Sequence, residues 1–282
     1  MYKFFYFKSK LKMRILLIIS LLIYMGQLHS QPIDSSNFKI TYSLSYVTDT
    51  SQPNKVQTDL QTLLIGKHYT LTYSNSLFRR DSVIKNNSPD ENTYINRIDS
   101  KSTNKVGLLT KYYILTSFLE KKITVLDQVG LDKYYYDELA EVFNWTIEND
   151  TASFDSYICQ KAICIFRGRT YVAWFAKDIP ISSGPYKFQG LPGLIIYVSD
   201  KSSNYTFKCV AIEKLSQPQP IEIFTKGTIK TSRKNFLLAQ KNYFDNPWQS
   251  FKDKGIDIGG MDGEGIKNLL KTSRPYNPIE LE

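Results

Sequence analysis

The chain has 282 residues, with 36 Lys and Arg against 27 Asp and Glu, a formal net charge of +9, two His and three Cys. Only His68 stands beyond residue 30, which excludes metal sites built on several imidazoles and leaves one imidazole base for any Ser-His or Cys-His pair. A charge of +9 would suit nucleic acid, but Lys3, Lys8, Lys10, Lys12 and Arg14 crowd the first thirty residues without an acid. Subtracting those five leaves 31 bases against 27 acids, an ordinary balance that gives no reason to expect a nucleic-acid partner.

After Arg14 comes an apolar run from Ile15 to Met25, then a short polar exit ending at Ser30. As a helix that run reaches about 16 Å, roughly half of a hydrocarbon core. Residues 1–30 therefore read as a signal peptide, with an uncleaved N-terminal anchor as the alternative. Residues 31–282 read as a single β-rich domain in the periplasm or secreted, with no transmembrane span after signal removal.

Period-two alternation dominates the mature chain, and Phe38, Ile40, Tyr42, Leu44 and Tyr46 share one face of the first strand. Further strands are expected at 68–73, 112–119, 122–128, 132–136, 142–148, 157–166, 170–176, 193–199 and 205–212, separated by short turn signals. Residues 81–105 are polar and turn-rich and read as a long loop. Phe236, Leu237, Tyr243 and Phe244 are spaced for a helix over 231–244, with Thr231 or Ser232 as N-cap and Asn246-Pro247 as stop. Its other face carries Lys230, Arg233, Lys234 and Lys241. A second helix is expected at 263–272, within a C-terminal helical part of about 226–282. The tail from Arg274 to Glu282 is too Pro-rich for helix and should pack as an extended end.

The fold expected is mainly β: one large curved antiparallel meander, or an open half-barrel, with a C-terminal helical segment. Cys159 and Cys164 lie on one strand about 16 Å apart, too far for a disulfide. In an oxidising compartment Cys209 is left as the partner, with strand parity favouring Cys164. The alternative is three buried thiols behaving as small hydrophobes.

Around Gly190-Leu191-Pro192-Gly193-Leu194-Ile195, Pro192-Gly193 suits the centre of a type II turn, with positive φ at Gly193. The run Leu194–Val198 reads as a strand apolar on both faces. The same six residues resemble the signature of the GLPGLI family. Their flanks are also similar to it: Cys159-Gln160-Lys161-Ala162, Arg167-Gly168-Arg169-Thr170-Tyr171, Ala173-Trp174-Phe175, Ile179-Pro180-Ile181 and Gly184-Pro185, with a looser likeness in the Asn-Pro-Ile-Glu end. The resemblance implies an exported protein of the Gram-negative envelope and carries over no catalytic residue.

Tested for chemistry, His68 lacks a Gly-x-Ser-x-Gly elbow and reads as an ordinary strand histidine. Asp178 and Asp200, flanking the signature, read as turn and cap residues, with a carboxylate pair as the enzymatic alternative. The stretch Asp257–Gly265 alternates acids with Gly but lacks the order of a calcium loop. Arg167 and Arg169 at a hairpin tip could clamp a phosphate or carboxylate, against solvated turn residues stacking on Tyr171 or Trp174. Tyr112-Tyr113 and Tyr134-Tyr135-Tyr136 must point to both sheet faces, so some tyrosines line a surface. No catalytic residue, cofactor or metal is nominated. The function expected is non-catalytic binding of a hydrophobic ligand or an extended peptide in a β trough. The alternatives are an envelope assembly or stress factor working by protein contact, and a hydrolase with a carboxylate or thiol site.

Overall fold

The computed structural model describes residues 32–87, 110–223, 225, 227–255 and 273–282. The signal peptide, most of the 81–105 loop, the acid-glycine stretch at 257–265 and the helix expected at 263–272 lie outside the described residues. Residues Asp34–Glu282 form one unit. In chain order it contains β1 (Asp34–Val47), β2 (Val56–Gly66), β3 (Tyr69–Ser74), α1 (Asn75–Asn87), β4 (Tyr113–Ser117), β5 (Lys122–Val129) and β6 (Asp132–Leu139). There follow β7 (Thr146–Phe154), β8 (Tyr157–Phe166), β9 (Arg169–Ala176), β10 (Leu194–Asp200), β11 (Tyr205–Ile221), β12 (Ile229–Lys230), α2 (Arg233–Asp245) and α3 (Pro247–Lys252).

Among the described residues the twelve strands form one open sheet in the order β12-β6-β5-β4-β3-β2-β1-β11-β10-β9-β8-β7. Two antiparallel meanders, β1 to β6 and β7 to β11, meet where β1 pairs with β11. The one parallel pairing within it is the short β12 beside Tyr134 and Tyr135 of β6. Curvature follows from the connection between the meanders. β6 and β7 are ten strand spacings apart, about 48 Å if the sheet were flat. Residues 140–145 join them, and a fully extended link of that length spans only about 25 Å. The sheet must therefore curl, and it brings the β8–β9 turn against β6: Arg167 lies 3.2 Å from Glu138.

The main core fills the inner face of this curl, from Ile40, Tyr42 and Leu44 on β1 to Tyr171, Ala173 and Phe175 on β9 and Phe207 on β11. A smaller cluster of Leu64, Leu71, Tyr73, Leu115 and Ile221 packs on the outer face. β2 is an unexpected strand. Its inner positions carry Asp59 and Gln61, while Leu60 is 49% exposed, so the apolar alternation is inverted. Gln61 donates to Thr110 Oγ1 (2.6 Å) and accepts from Tyr112 OH (2.7 Å), while Thr110 donates to Asp59 (2.5 Å). The buried polar groups are thereby matched to one another.

α1 also differs from expectation: residues 81–87, read as loop, finish a helix that begins at Asn75. α2 matches, with Ser232 as N-cap accepting from Asn235 N (3.2 Å) and Asn246 as C-cap. Its Phe236 is buried against Tyr136, ring centroids 5.3 Å apart.

The Cys164–Cys209 disulfide is not formed. β8 and β11 are separated by β9 and β10, which places the two cysteines about 14 Å apart across the sheet, beyond disulfide reach. All three cysteines are free and buried, as small hydrophobes would be.

The signature lies on the long β9–β10 connection, whose residues 183–189 fold over the inner face. Ser183 and Gln189 form a β-bridge, Phe188 N donates to Pro185 O (3.1 Å), and Trp145 Nε1 caps Gln189 O (2.9 Å). Phe188 is 1% exposed, with ring centroids 4.7 Å from Tyr171 and 5.7 Å from both Phe143 and Phe166. Positive φ falls at Gly190 (+93°), not at Gly193. Gly193 answers to crowding instead: a Cβ there would collide with the Ala176 carbonyl oxygen. Backbone therefore presses on backbone where the connection re-enters the sheet. Gly193→Ala should cost about 2–3 kcal/mol, measured as a lowered urea midpoint with unchanged slope.

Candidate peptide clasp

The functional side chains converge on the C-terminal tail. Pro278 bars helix and biases Asn277 toward extended backbone, so the tail's polar backbone groups need partners outside it. The inner face supplies them. Arg169 Nη2 donates to Asn277 Oδ1 and to Pro278 O, both at 2.6 Å. Asn277 Nδ2 donates to Val47 O (2.6 Å), and its carbonyl accepts from Tyr205 OH (2.5 Å). Tyr171 OH donates to Ile279 O (3.0 Å), and Leu281 N donates to Arg167 O (2.9 Å).

Glu280 enters the most buried part of this clasp. Its carboxylate, 3% exposed, lies 2.6 Å from Lys187 Nζ and accepts from Tyr186 OH (2.6 Å) and Arg233 Nε (2.8 Å). Lys187, 2% exposed, also meets Glu138 at 2.5 Å. Arg167 lies 3.2 Å from Glu138 and 2.6 Å from Glu141. Three cations thus face three carboxylates, and Arg233 also donates to Glu282 O. Burial alone would raise the Glu280 carboxyl. The charge and hydrogen bond of Lys187, the Tyr186 hydroxyl and the Arg233 charge outweigh it and hold Glu280 below its usual value. Arg169 is balanced separately by Asp200 at 3.3 Å and rests over the Tyr205 ring.

A second acid faces inward from β5. Asp127 lies between Val125 and Val129 of the main core on alternate positions, and its Oδ1 accepts from Gln128 N (2.6 Å). Burial pushes its carboxyl up to about 7, only partly offset by that hydrogen bond and by the charges of Lys111 and Lys187.

The arginine pair therefore clamps carboxylates after all. Arg167 and Gly168 carry positive φ in the two-residue β8–β9 turn, and Arg169 is 7% exposed rather than solvated. Both anchor groups of their own chain. Arg233, expected on the wet face of its helix, turns inward to Glu280. Asp178 and Asp200 do not pair. Asp178 is exposed after β9, and Asp200 sits at the other end of that hairpin, bound by Arg169 and by Tyr205 N (2.7 Å). His68 lies in the β2–β3 turn, far along the sheet from Cys159 and Cys164 on β8. Burial pushes the thiols of Cys159, Cys164 and Cys209 up to about 11, 12 and 11, so they stay protonated. The tyrosine doublets divide as expected: Tyr112 and Tyr136 are buried inside, whereas Tyr113 donates to Asp81 (3.0 Å) on the outer side. Of the signature, Leu191, Leu194 and Ile195 are buried, and Ile195 O accepts from Tyr42 OH (2.8 Å). Its six residues shape the connection, and the preceding Tyr186 and Lys187 touch the tail.

Above the cluster, a shallow depression between Leu139, Glu141, Phe143 and Phe166 has no room for a water-sized sphere. Among the described residues, no three His, Cys, Asp or Glu side chains converge as a metal site. Nor is any helix there long and apolar enough to cross a membrane.

Residues 167–197, which hold the arginine turn and the signature, match the model of a family described as a protein of unknown function (Porph_ging), the GLPGLI type. No curated protein matches the chain. Two solved structures of PNGF-II, in the P21 and C2 space groups, are similar to it at 11% identity. They cover 72% and 73% of this chain with TM-scores of 0.46 and 0.47, and the chain spans 32% of their length.

Because the Glu280 carboxyl titrates lower folded than unfolded, its stabilisation is full above pH 4.5 and is lost as pH falls through the folded value. Glu280→Gln should lower stability at pH 7 by about 2–3 kcal/mol and remove that acid limb from a plot of unfolding free energy against pH. Asp127 has the opposite sign. Between 3.8 and about 7 it binds more protons folded than unfolded, so stability declines as pH rises through that window. Asp127→Asn should be more stable than the parent at pH 8 by about 2 kcal/mol, with the gain vanishing below pH 4 in thermal melts.

Proposed function

We propose that this chain is an exported, non-catalytic binding protein of the periplasm or envelope, which holds a peptide in extended form along the inner face of its sheet. Export is supported by the basic-then-apolar pattern of residues 1–30. The observation that carries the peptide reading is that a peptide segment, Asn277–Leu281, already lies there, gripped through both its backbone and its side chains.

The inner face is filled by Phe188, Tyr171 and their neighbours, which favours a peptide laid over it above a free hydrophobic molecule inserted into it. The groups that meet the tail are hydroxyls, guanidinia and an ammonium, chemistry that reads amides and carboxylates rather than acyl chains. Glu138 and Glu280 are paired with cations and largely shielded from water, an arrangement suited to recognition and fixed geometry.

Native mass spectrometry of the Glu280→Gln full chain, incubated in turn with a mixture of short peptides and with a mixture of fatty acids, tests this function. Peptide adducts without fatty-acid adducts are expected. Fatty-acid adducts in the absence of any peptide adduct would overturn it.

A further inference from the structure

Three of the four most exposed large apolar side chains among the described residues gather on one rim of the sheet. They are Val142, Leu139 and Leu119, at 87%, 78% and 73% exposure, with Phe118 beside them at 39%. None of the four belongs to either core cluster, so packing of the fold does not account for them. Backbone contacts make the rim continuous. Asp34, at the start of β1, accepts from His68 N (2.7 Å), and His68 O accepts from Phe118 N (2.9 Å). Lys121 O then accepts from Ala140 N (2.8 Å), and Lys122 pairs with Leu139 across β5 and β6. Leu119 and Val142 each lie two residues from that contact, in the β4–β5 turn and the β6–β7 link. A cluster of apolar side chains standing in water on turns marks a contact surface.

Charge along the same rim is one-sided. Asp34 is taken by the backbone N–H groups of His68 and Tyr69, Glu120 by Lys122 at 2.7 Å and Glu141 by Arg167 at 2.6 Å. Lys67 and Lys121 are exposed and have no acid partner among the described residues. Apolar tips flanked by unpaired cations fit a bilayer interface with anionic headgroups.

The chain ahead of β1 favours the same occupant. The apolar run at 15–25, with five bases before it, joins the sheet at Asp34, on this rim. Residues 26–34, nine in number, span at most about 30 Å. A bilayer that takes up the apolar run is therefore tethered within that distance of the rim. We infer that this rim rests on a lipid surface, with Leu119, Leu139 and Val142 entering the interface and Lys67 and Lys121 meeting anionic headgroups. The inference does not depend on the peptide-holding function.

The test puts an environment-sensitive nitrobenzoxadiazole label on single introduced cysteines in the full chain: Leu119→Cys and Val142→Cys on the rim, and Ile158→Cys as reference. The native thiols are buried, so the label goes to the introduced one. Ile158 is 68% exposed, but it lies about 26 Å back along β8 from Phe166, which packs on Phe143 next to Val142. All three positions are exposed, so each variant should keep the parent melt. The probe is a vesicle of phosphatidylethanolamine and phosphatidylglycerol, with or without a nitroxide on the acyl chains. A blue shift and nitroxide quenching are expected at positions 119 and 142 and not at 158. Adding Leu119→Ser and Leu139→Ser should abolish the quenching of the label at 142, and Lys67→Gln with Lys121→Gln should reduce it. Quenching no stronger at the rim than at 158, or absent from all three positions, would overturn the lipid surface as occupant and leave the peptide-holding function standing. Quenching unchanged by the two lysine substitutions would overturn their part in meeting headgroups, with apolar insertion retained.

Discussion

Lys187 sits almost wholly out of water, and a buried ammonium persists only where carboxylates meet it. It finds two, and they come from distant parts of the chain. Glu138 ends β6, near one edge of the sheet, and Glu280 lies 93 residues beyond Lys187 in the tail. Satisfying this one cation requires the β9–β10 connection to fold across the inner face, β6 to approach it, and the tail to return. The curl of the sheet, the covering connection and the docked C-terminus are thus three parts of one electrostatic constraint. The short link between β6 and β7 imposes the same curl independently, and the two requirements agree.

An ionic cluster of this kind is weak evidence for stability, since well-packed apolar groups could fill the same space at equal or lower free energy. What charges supply is a demand for particular partners. Apolar packing among Phe188, Tyr171, Phe143 and Phe166 tolerates many substitutions of similar volume. The pairings of Lys187, Arg169 and Arg233 tolerate few. The inner face thus combines an aromatic floor that gives cohesion with a set of polar donors that decides what lies upon it. Asp127 stands apart. It faces the core without a cation in ion-pair range among the described residues, and its burial makes it a cost at neutral pH rather than a support.

Much of the fold was legible in the sequence, because a strand with one apolar face announces itself by alternation. β1 obeys that rule, whereas β8 and β9 carry apolar residues on both faces and Ile158 and Ile165 of β8 are exposed. β2 does not obey it, since Asp59 and Gln61 occupy its inner positions and Leu60 its outer one. Its inner groups are satisfied by Thr110 and Tyr112, some fifty residues away, and no local pattern encodes such a pairing. The clasp was hidden for the same reason. Arg167 and Arg169 resembled wet turn residues because a two-residue turn normally sits in solvent. Here the curl of the sheet carries that turn against β6 and the tail. The tail's lack of helix could be read from its prolines, but its partners could not. Gly193 shows a subtler limit: its need for glycine was plain, yet the cause is the Ala176 carbonyl above it rather than its own φ.

The division of labour within the signature region follows from the same geometry. Leu191, Leu194 and Ile195 are buried, and Gly190 and Gly193 serve conformation and clearance, so these residues offer a ligand no exposed functional group. Such residues fix where the connection leaves and re-enters the sheet. The chemistry is carried by Tyr186 and Lys187 just before them, and by Arg169 and Tyr171 on the adjoining strand. Displacing the connection by one residue would move Lys187 off both carboxylates while leaving the apolar packing largely replaceable. A rigid turn is therefore needed where a buried charge must be aimed, and the six-residue signature is best understood as the mounting for Lys187.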